Sequence, residues 1–178
     1  MIKRIYFLVL IILIGLAGYS QYGINRFSAK IKFDNPDRIN WNLVSDDMPA
    51  DNAKGGLVFK HNPIIDSKNR PVEPLIAILY EKVTENIDVI QYSAGILGGK
   101  PFKIEKKLLG GFPDFSSDKH SVVFKGNYVR ENTEHKILLG YILFNKIGIE
   151  IICDATDETF SKVESDFNKI IKSLRITE

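Results

Sequence analysis

Apolar and polar positions follow two different periods along this chain. Near the C-terminus, Phe160, Val163, Phe167, Ile170 and Leu174 recur at intervals of three and four residues. That spacing places all five on one side of a helix. Lys162, Ser165, Asp166, Lys169 and Lys172 occupy the other side. Thr156 stands where an N-cap is needed, and Asp157 and Glu158 fall in the first turn, where acids favour the helix dipole. A helix divided in this way needs a hydrophobic surface to cover.

The preceding residues supply that surface as strands. Ser121 to Arg130 carries Val122, Phe124, Tyr128 and Val129. Glu131 to Glu134 is a polar turn, and His135 to Asn145 is apolar on both faces, as expected of a central strand. Asn145 to Gly148 is the next turn, with Gly148 free to take a positive φ. Ile149, Ile151 and Cys153 then alternate with Glu150, Ile152 and Asp154. Turns this short imply antiparallel pairing.

Earlier segments extend the pattern. Trp41, Leu43 and Val44 predict a first short strand. Asp46 to Gly56 reads as loop, and Leu57, Phe59 and His61 as a strand. Asp66 to Pro74 is a second loop, and Leu75 to Val83 a strong strand. A helix capped by Asn86 should follow, with Ile87, Ile90, Ala94 and Leu97 on its apolar face and Gly98-Gly99 at its end. Phe102 to Leu109 returns as a strand, and Gly110 to Asp118 is loop. Residues 21–38 read as a weakly structured approach, and residues 39–178 as a single domain. The predicted fold class is α+β, an antiparallel β-sheet with helices packed on it.

This order resembles the PsbP-like superfamily, which includes a photosystem II extrinsic subunit, a nuclear Ran-binding protein and many bacterial envelope proteins. The resemblance lies in Trp41 near the first strand, the strand–helix unit from Leu75 to Leu97, and the run from Gly140-Tyr141-Ile142 to Cys153. It continues through Phe160 to Ser173-Leu174-Arg175-Ile176, so it covers nearly all of the chain after residue 20. It implies an α/β sandwich. No catalytic or ligand motif defines that family, so no activity comes with the resemblance.

The N-terminus has a different character. Lys3 and Arg4 precede an uncharged apolar run from Ile5 to Gly18. That run is short against the roughly 20 residues a spanning helix needs. Residues 1–20 therefore read as a signal peptide or an uncleaved signal anchor. Contact with a membrane is expected only through residues 5–18, and only if they are retained. Leu16-Ala17-Gly18 resembles the start of a bacterial lipoprotein box, but Tyr19 stands where the lipid-bearing cysteine would be. The expected location is exported, in the periplasm or anchored facing it.

Removing this segment changes the charge. The full chain has 24 Lys and Arg against 22 Asp and Glu. Without Lys3 and Arg4 the two are equal, so no general attraction to nucleic acid remains.

Candidate chemistry is sparse. His61, His120 and His135 fit no metal-ligand spacing, although His120 and His135 would meet across a hairpin if the register allowed. Cys153 is the sole cysteine, which excludes an intramolecular disulfide; its alternation with Ile149 and Ile151 points to a buried small hydrophobe. It would react only if paired with a base such as His135 on the next strand. Asp154, Asp157 and Glu158 suggest calcium or, more simply, helix capping. Gly95, Gly98 and Gly99, then Gly110-Gly111, lack the spacing of a phosphate loop. The expectation is no catalytic, metal or cofactor residue. Two functions remain, with a dispersed active site a weaker third. The first is a non-enzymatic envelope protein that binds another protein. The second is a binder of a small apolar ligand or lipid, which a large apolar cavity between sheet and helix would favour.

Overall fold

Two tight hairpins build the centre of the molecule. The computed structural model describes residues 21–24, 30–34, 36–47, 54–108 and 120–177. Numbered in chain order, its strands include β1 (Gln21–Ile24), β2 (Lys30–Asp34), β3 (Trp41–Asp47), β4 (Lys54–His61), β5 (Ile64–Ile65), β6 (Pro71–Val72) and β7 (Leu75–Lys82). Helix α1 (Val89–Leu97), β8 (Lys103–Leu108), β9 (Ser121–Arg130), β10 (Thr133–Phe144), β11 (Ile147–Thr156), α2 (Asp157–Ser173) and β12 (Arg175–Thr177) complete the order.

The β9–β10 turn is only Glu131-Asn132, and the β10–β11 turn only Asn145-Lys146. All four residues have positive φ, between 47° and 62°. Turns of this kind match the right-handed twist of the flanking strands. Both turns are thus shorter than the sequence pattern suggested, and Gly148 lies within a strand rather than in a turn.

The main sheet has seven strands in the order β3-β4-β7-β11-β10-β9-β8. Every neighbouring pair is antiparallel. The α+β fold with an antiparallel sheet is what the periodicity predicted. β11 is the middle strand and is buried along nearly its whole length.

One face of the sheet lies under α2. Phe160, Val163, Phe167, Ile170 and Leu174 are all buried, together with Ile78, Leu138, Ile149, Ile151 and Cys153. Trp41 closes one end: its ring centroid lies 5.9 Å from that of Phe167, and its Nε1 donates to Asp166 Oδ2 at 3.0 Å. Thr156 occupies the N-cap position, but its hydroxyl bonds the Thr159 hydroxyl at 2.8 Å rather than a helix N–H.

Several sequence expectations are corrected here. The 21–38 segment contains β1 and β2, which form a small antiparallel sheet with β12. Phe33 of β2 belongs to the α2 core, and the Asp34 N–H donates to Ser173 Oγ at 3.0 Å. Tertiary pairing with the chain's end, which a local reading does not see, makes these residues strands. Asp46 to Gly56 is not one loop, because β3 runs to Asp47 and β4 starts at Lys54. Gly56 lies so close to β7 that a Cβ there would stand 2.6 Å from Leu79 Cδ2. The glycine thus marks a close approach of strands. The 66–74 loop belongs to a small hairpin of β5 and β6. Asp66 organises it, accepting from the Arg70 N–H at 2.8 Å and the Lys68 N–H at 2.9 Å. The predicted signal or anchor at residues 1–20 and the Gly110–Asp118 loop lie outside the described residues.

Helix α1 is also corrected. Its N-cap is Asp88, not Asn86. The Gln91 N–H donates to Asp88 Oδ1 at 2.8 Å, and the Asp88 N–H to Gln91 Oε1 at 3.0 Å. This reciprocal pair is a capping box. Its buried face carries Val89, Tyr92 and Ser93, whereas Ile90 and Ala94 are exposed. Ile87 and Leu97 of the expected stripe still pack against this core as partly buried residues, so the buried face is turned toward Tyr92 rather than replaced.

Candidate functional site

Helix α1 is nine residues long, too short to cover the second face of the sheet. It packs on β9 and β10, where Val89 and Tyr92 join Val122, Ile137, Leu139 and Tyr141. The β4–β7 end of that face is left beside it, and the gap forms a cleft of about 700 Å³. This falls within the usual size of small-molecule sites, about 300–1,000 Å³.

Leu79, Val58 and Ile96 give the cleft apolar walls, and Gly55, Gly56 and Gly95 keep it open. A glycine in mid-helix usually costs stability. At Gly95 a Cβ would meet nothing within 4 Å, so packing does not demand the glycine there. Its missing side chain leaves space in the cleft.

The polar groups converge at the floor. Glu150 projects from the middle of β11, opposite Leu79 on β7 and Tyr141 on β10. It is only 5% exposed. Burying a carboxylate is unfavourable unless it is paired and hydrogen-bonded. Lys100 Nζ supplies the pair at 2.6 Å, and the Tyr141 hydroxyl donates at 2.9 Å to the same oxygen. Lys100 also stands 5.7 Å from the centre of the Phe102 ring. The Tyr92 hydroxyl is hydrogen-bonded to Glu81, which also lines the cleft. Burial, then the charge of Glu81, that hydrogen bond and the charge of Glu150 push the Tyr92 phenol well above its usual range. Burial and the charge of Glu150 do the same to Tyr141. Both phenols are therefore neutral donors at any physiological pH.

Gly148 makes the Tyr92–Glu81 contact possible. It pairs with Glu81 across the ladder, and a Cβ there would collide with the Tyr92 ring. Gly148→Ala is expected to displace Tyr92 and cost about 1–3 kcal/mol, as overpacking does. A denaturant titration with an unchanged midpoint would contradict this packing.

Apart from Gly95, the residues singled out from sequence lie elsewhere. Cys153 is fully buried under α2, and burial, with a smaller push from Asp154, raises its thiol well above the ordinary range. It pairs with Leu138, while His135 pairs with Thr156 on the opposite face, so no Cys153–His135 couple forms. His120 and His135 do not meet either. His120 precedes β9 and lies 5.5 Å from the Phe144 ring, whereas His135 faces Tyr128 at the other end of the hairpin. His61 stacks edge-on against Trp41 at 5.0 Å.

The acids also separate. Asp154 is 2.9 Å from His135 Nδ1 and accepts from the Tyr128 hydroxyl at 2.7 Å. Asp157 pairs with Lys136, and Glu158 accepts from the backbone and hydroxyl of Ser67. Among the described residues no cluster of His, Cys, Asp and Glu is arranged to hold a metal ion. Gly98 forms the C-cap of α1, and Gly110-Gly111 lies outside the described residues.

Sequence reading passed over the cleft residues. Glu150 between Ile149 and Ile151 was the available signal, since a carboxylate in mid-strand must find partners. Its partner Lys100 lies 50 residues away, and no local pattern connects them.

The fold resembles that of LpqN from Mycobacterium tuberculosis. That protein is described as involved in cell envelope biogenesis, and its structure matches with a TM-score of 0.58 and 18% identity over 89% of this chain and 91% of LpqN. A Pseudomonas aeruginosa protein, PA94, described as of unknown function, matches with a TM-score of 0.50 and 11% identity over 89% of this chain and 98% of its own. At these identities the likeness concerns the fold alone. No protein-family model and no curated protein matches the chain.

Proposed function

We propose that this protein is a non-enzymatic binding protein of the cell envelope, holding a small and mostly apolar molecule between α1 and the β4–β7 end of the sheet. The observation that carries this reading is the cleft of about 700 Å³ with Leu79, Val58 and Ile96 in its walls. A cavity between sheet and helix is what distinguishes a ligand binder from a module with a filled core. The envelope assignment draws on the basic and apolar N-terminal segment and on the fold likeness to LpqN, described as an envelope-biogenesis protein. Membership of the PsbP-like superfamily belongs to the same reading and rests on the sequence resemblance. Among the described residues no helix is long and apolar enough to cross a membrane.

The uncharged fluorophore N-phenyl-1-naphthylamine tests the cleft. The wild-type domain should enhance its emission saturably. Gly95→Leu should fill the cleft and abolish the enhancement while leaving the melting temperature unchanged or higher, because leucine favours helix over glycine by about 0.5–1 kcal/mol. No enhancement with wild type, or equal enhancement with Gly95→Leu, would overturn the reading. The export assignment predicts that cell fractionation finds the chain in the envelope or periplasm; a full-length soluble cytoplasmic protein would refute it.

A second reading, binding of another protein, is favoured by one observation. β3 is an edge strand, and its Leu43 and Val44 are 40% and 52% exposed beside Ser45 at the cleft. An apolar edge of this kind can receive a strand from a partner.

A further inference from the structure

Taking the cleft as a ligand site, we infer that its ligand ends in a hydroxyl, held between the free oxygen of Glu150 and the ammonium of Lys100. The inference rests on the proposed function and names the polar group that the apolar molecule carries.

Glu150 lines the cleft and is only 5% exposed. Both of its hydrogen bonds fall on one oxygen: Lys100 Nζ at 2.6 Å and the Tyr141 hydroxyl at 2.9 Å both donate to Oε1. Among the described residues nothing donates to Oε2. A buried carboxylate oxygen without a partner is costly, and such atoms are uncommon in folded proteins. The sheet does not supply the missing donor. On the same face, Glu150 has Leu79 on one neighbouring strand and Tyr141 on the other, with Gly148 and Ile152 before and after it. Leu79, Gly148 and Ile152 have no side-chain donor, and Tyr141 is committed to Oε1. The partner of Oε2 therefore comes from the cleft.

Leu79, Val58 and Ile96 suit a hydrocarbon body. A hydrocarbon or an ether would displace water from Oε2 and offer it no proton in return, which loses affinity. A carboxylate at neutral pH has no proton to give either. Lys100 also lines the cleft, and its ammonium has three protons, of which one is spent on Oε1. A hydroxyl both donates and accepts, so a single oxygen can donate to Oε2 and accept from Lys100. A ligand ammonium donates but cannot accept, and it would bring a second positive charge beside Lys100. A site built to bond a hydroxyl rejects analogues that lack it far more strongly than a site that reads apolar shape alone.

1-Octanol and heptyl methyl ether are isomers of equal size that differ in whether the oxygen carries a proton. Each is titrated at pH 7, below its solubility limit, against N-phenyl-1-naphthylamine bound to the wild-type domain, beside octylamine and octanoate. Octanol should displace the probe at a concentration at least about fivefold lower than the ether, although the ether is the more apolar. Octylamine and octanoate should both be weaker than octanol. Glu150→Gln keeps a carbonyl for Tyr141 and puts an NH2 group where Oε2 stands. That group donates to alcohol and ether alike, so the two should then displace the probe about equally. A melting curve verifies that the variant folds; should it not fold, the wild-type comparison decides alone. An ether equal to or better than octanol would overturn the inference while the cleft remains a binding site. So would a preference for octanol that persists in folded Glu150→Gln, octylamine or octanoate stronger than octanol, or probe binding that none of these compounds displaces. Failure of the probe itself to bind would remove the proposed function and this inference together.

Discussion

Phe167→Ala is expected to destabilise the protein by about 3–5 kcal/mol, the usual cost of emptying a buried aromatic position. Phe167 has no exposed surface and stands between Trp41 and Phe160, with ring centroids at 5.9 and 5.6 Å. Those neighbours belong to a strand and a helix that are themselves held in place, so the site cannot collapse around the missing ring. In a thermal melt the loss corresponds to roughly 6–20 °C for a domain of this size. Lys162→Ala, on the exposed side of the same helix, should stay within about 0.5 kcal/mol of wild type. Equal melting temperatures for Phe167→Ala and wild type would mean that α2 presents a different face to the sheet.

Lys100→Met should be the most damaging change at the cleft. Methionine keeps most of the lysine stem and removes the ammonium. Glu150 would then retain the Tyr141 hydroxyl but lose its counter-charge at a position that is only 5% exposed. Breaking a buried pair from one side typically costs about 3–5 kcal/mol. The Lys100 side chain keeps a quarter of its surface, and that access lowers the expectation to about 2–4 kcal/mol. Lys100→Met with Glu150→Gln should lose less than Lys100→Met alone. Glutamine carries no charge, yet its carbonyl still accepts from Tyr141. Urea titrations of the two variants decide the matter. A double variant less stable than the single one would show that the unpaired charge is not the source of the loss.

What the sequence by itself determined is the part of the protein that obeys a local period. Four of the five apolar positions lie on α2 and repeat with the helical period, Leu174 follows as its extended C-cap, and all five are buried. Strands β9, β10 and β11 follow from their apolar runs and the short turns between them, and from these the antiparallel α+β fold follows. The burial of Cys153 was also legible, because Ile149 and Ile151 share its face.

Tertiary structure decided what depends on distant partners. β1 and β2 are strands because β2 pairs with β12, more than a hundred residues away. The buried face of α1 was turned toward Tyr92 by the surface of β9 and β10. The turn residues Glu131, Asn132, Asn145 and Lys146 hold positive φ because strand twist requires it; their side chains alone do not demand it. The cleft is the clearest case. It exists because a helix of nine residues lies on a sheet of seven strands and leaves one end of that face open. Only that geometry brings Lys100 from beyond α1, Glu150 from the middle strand, and Glu81 and Tyr92 to one place.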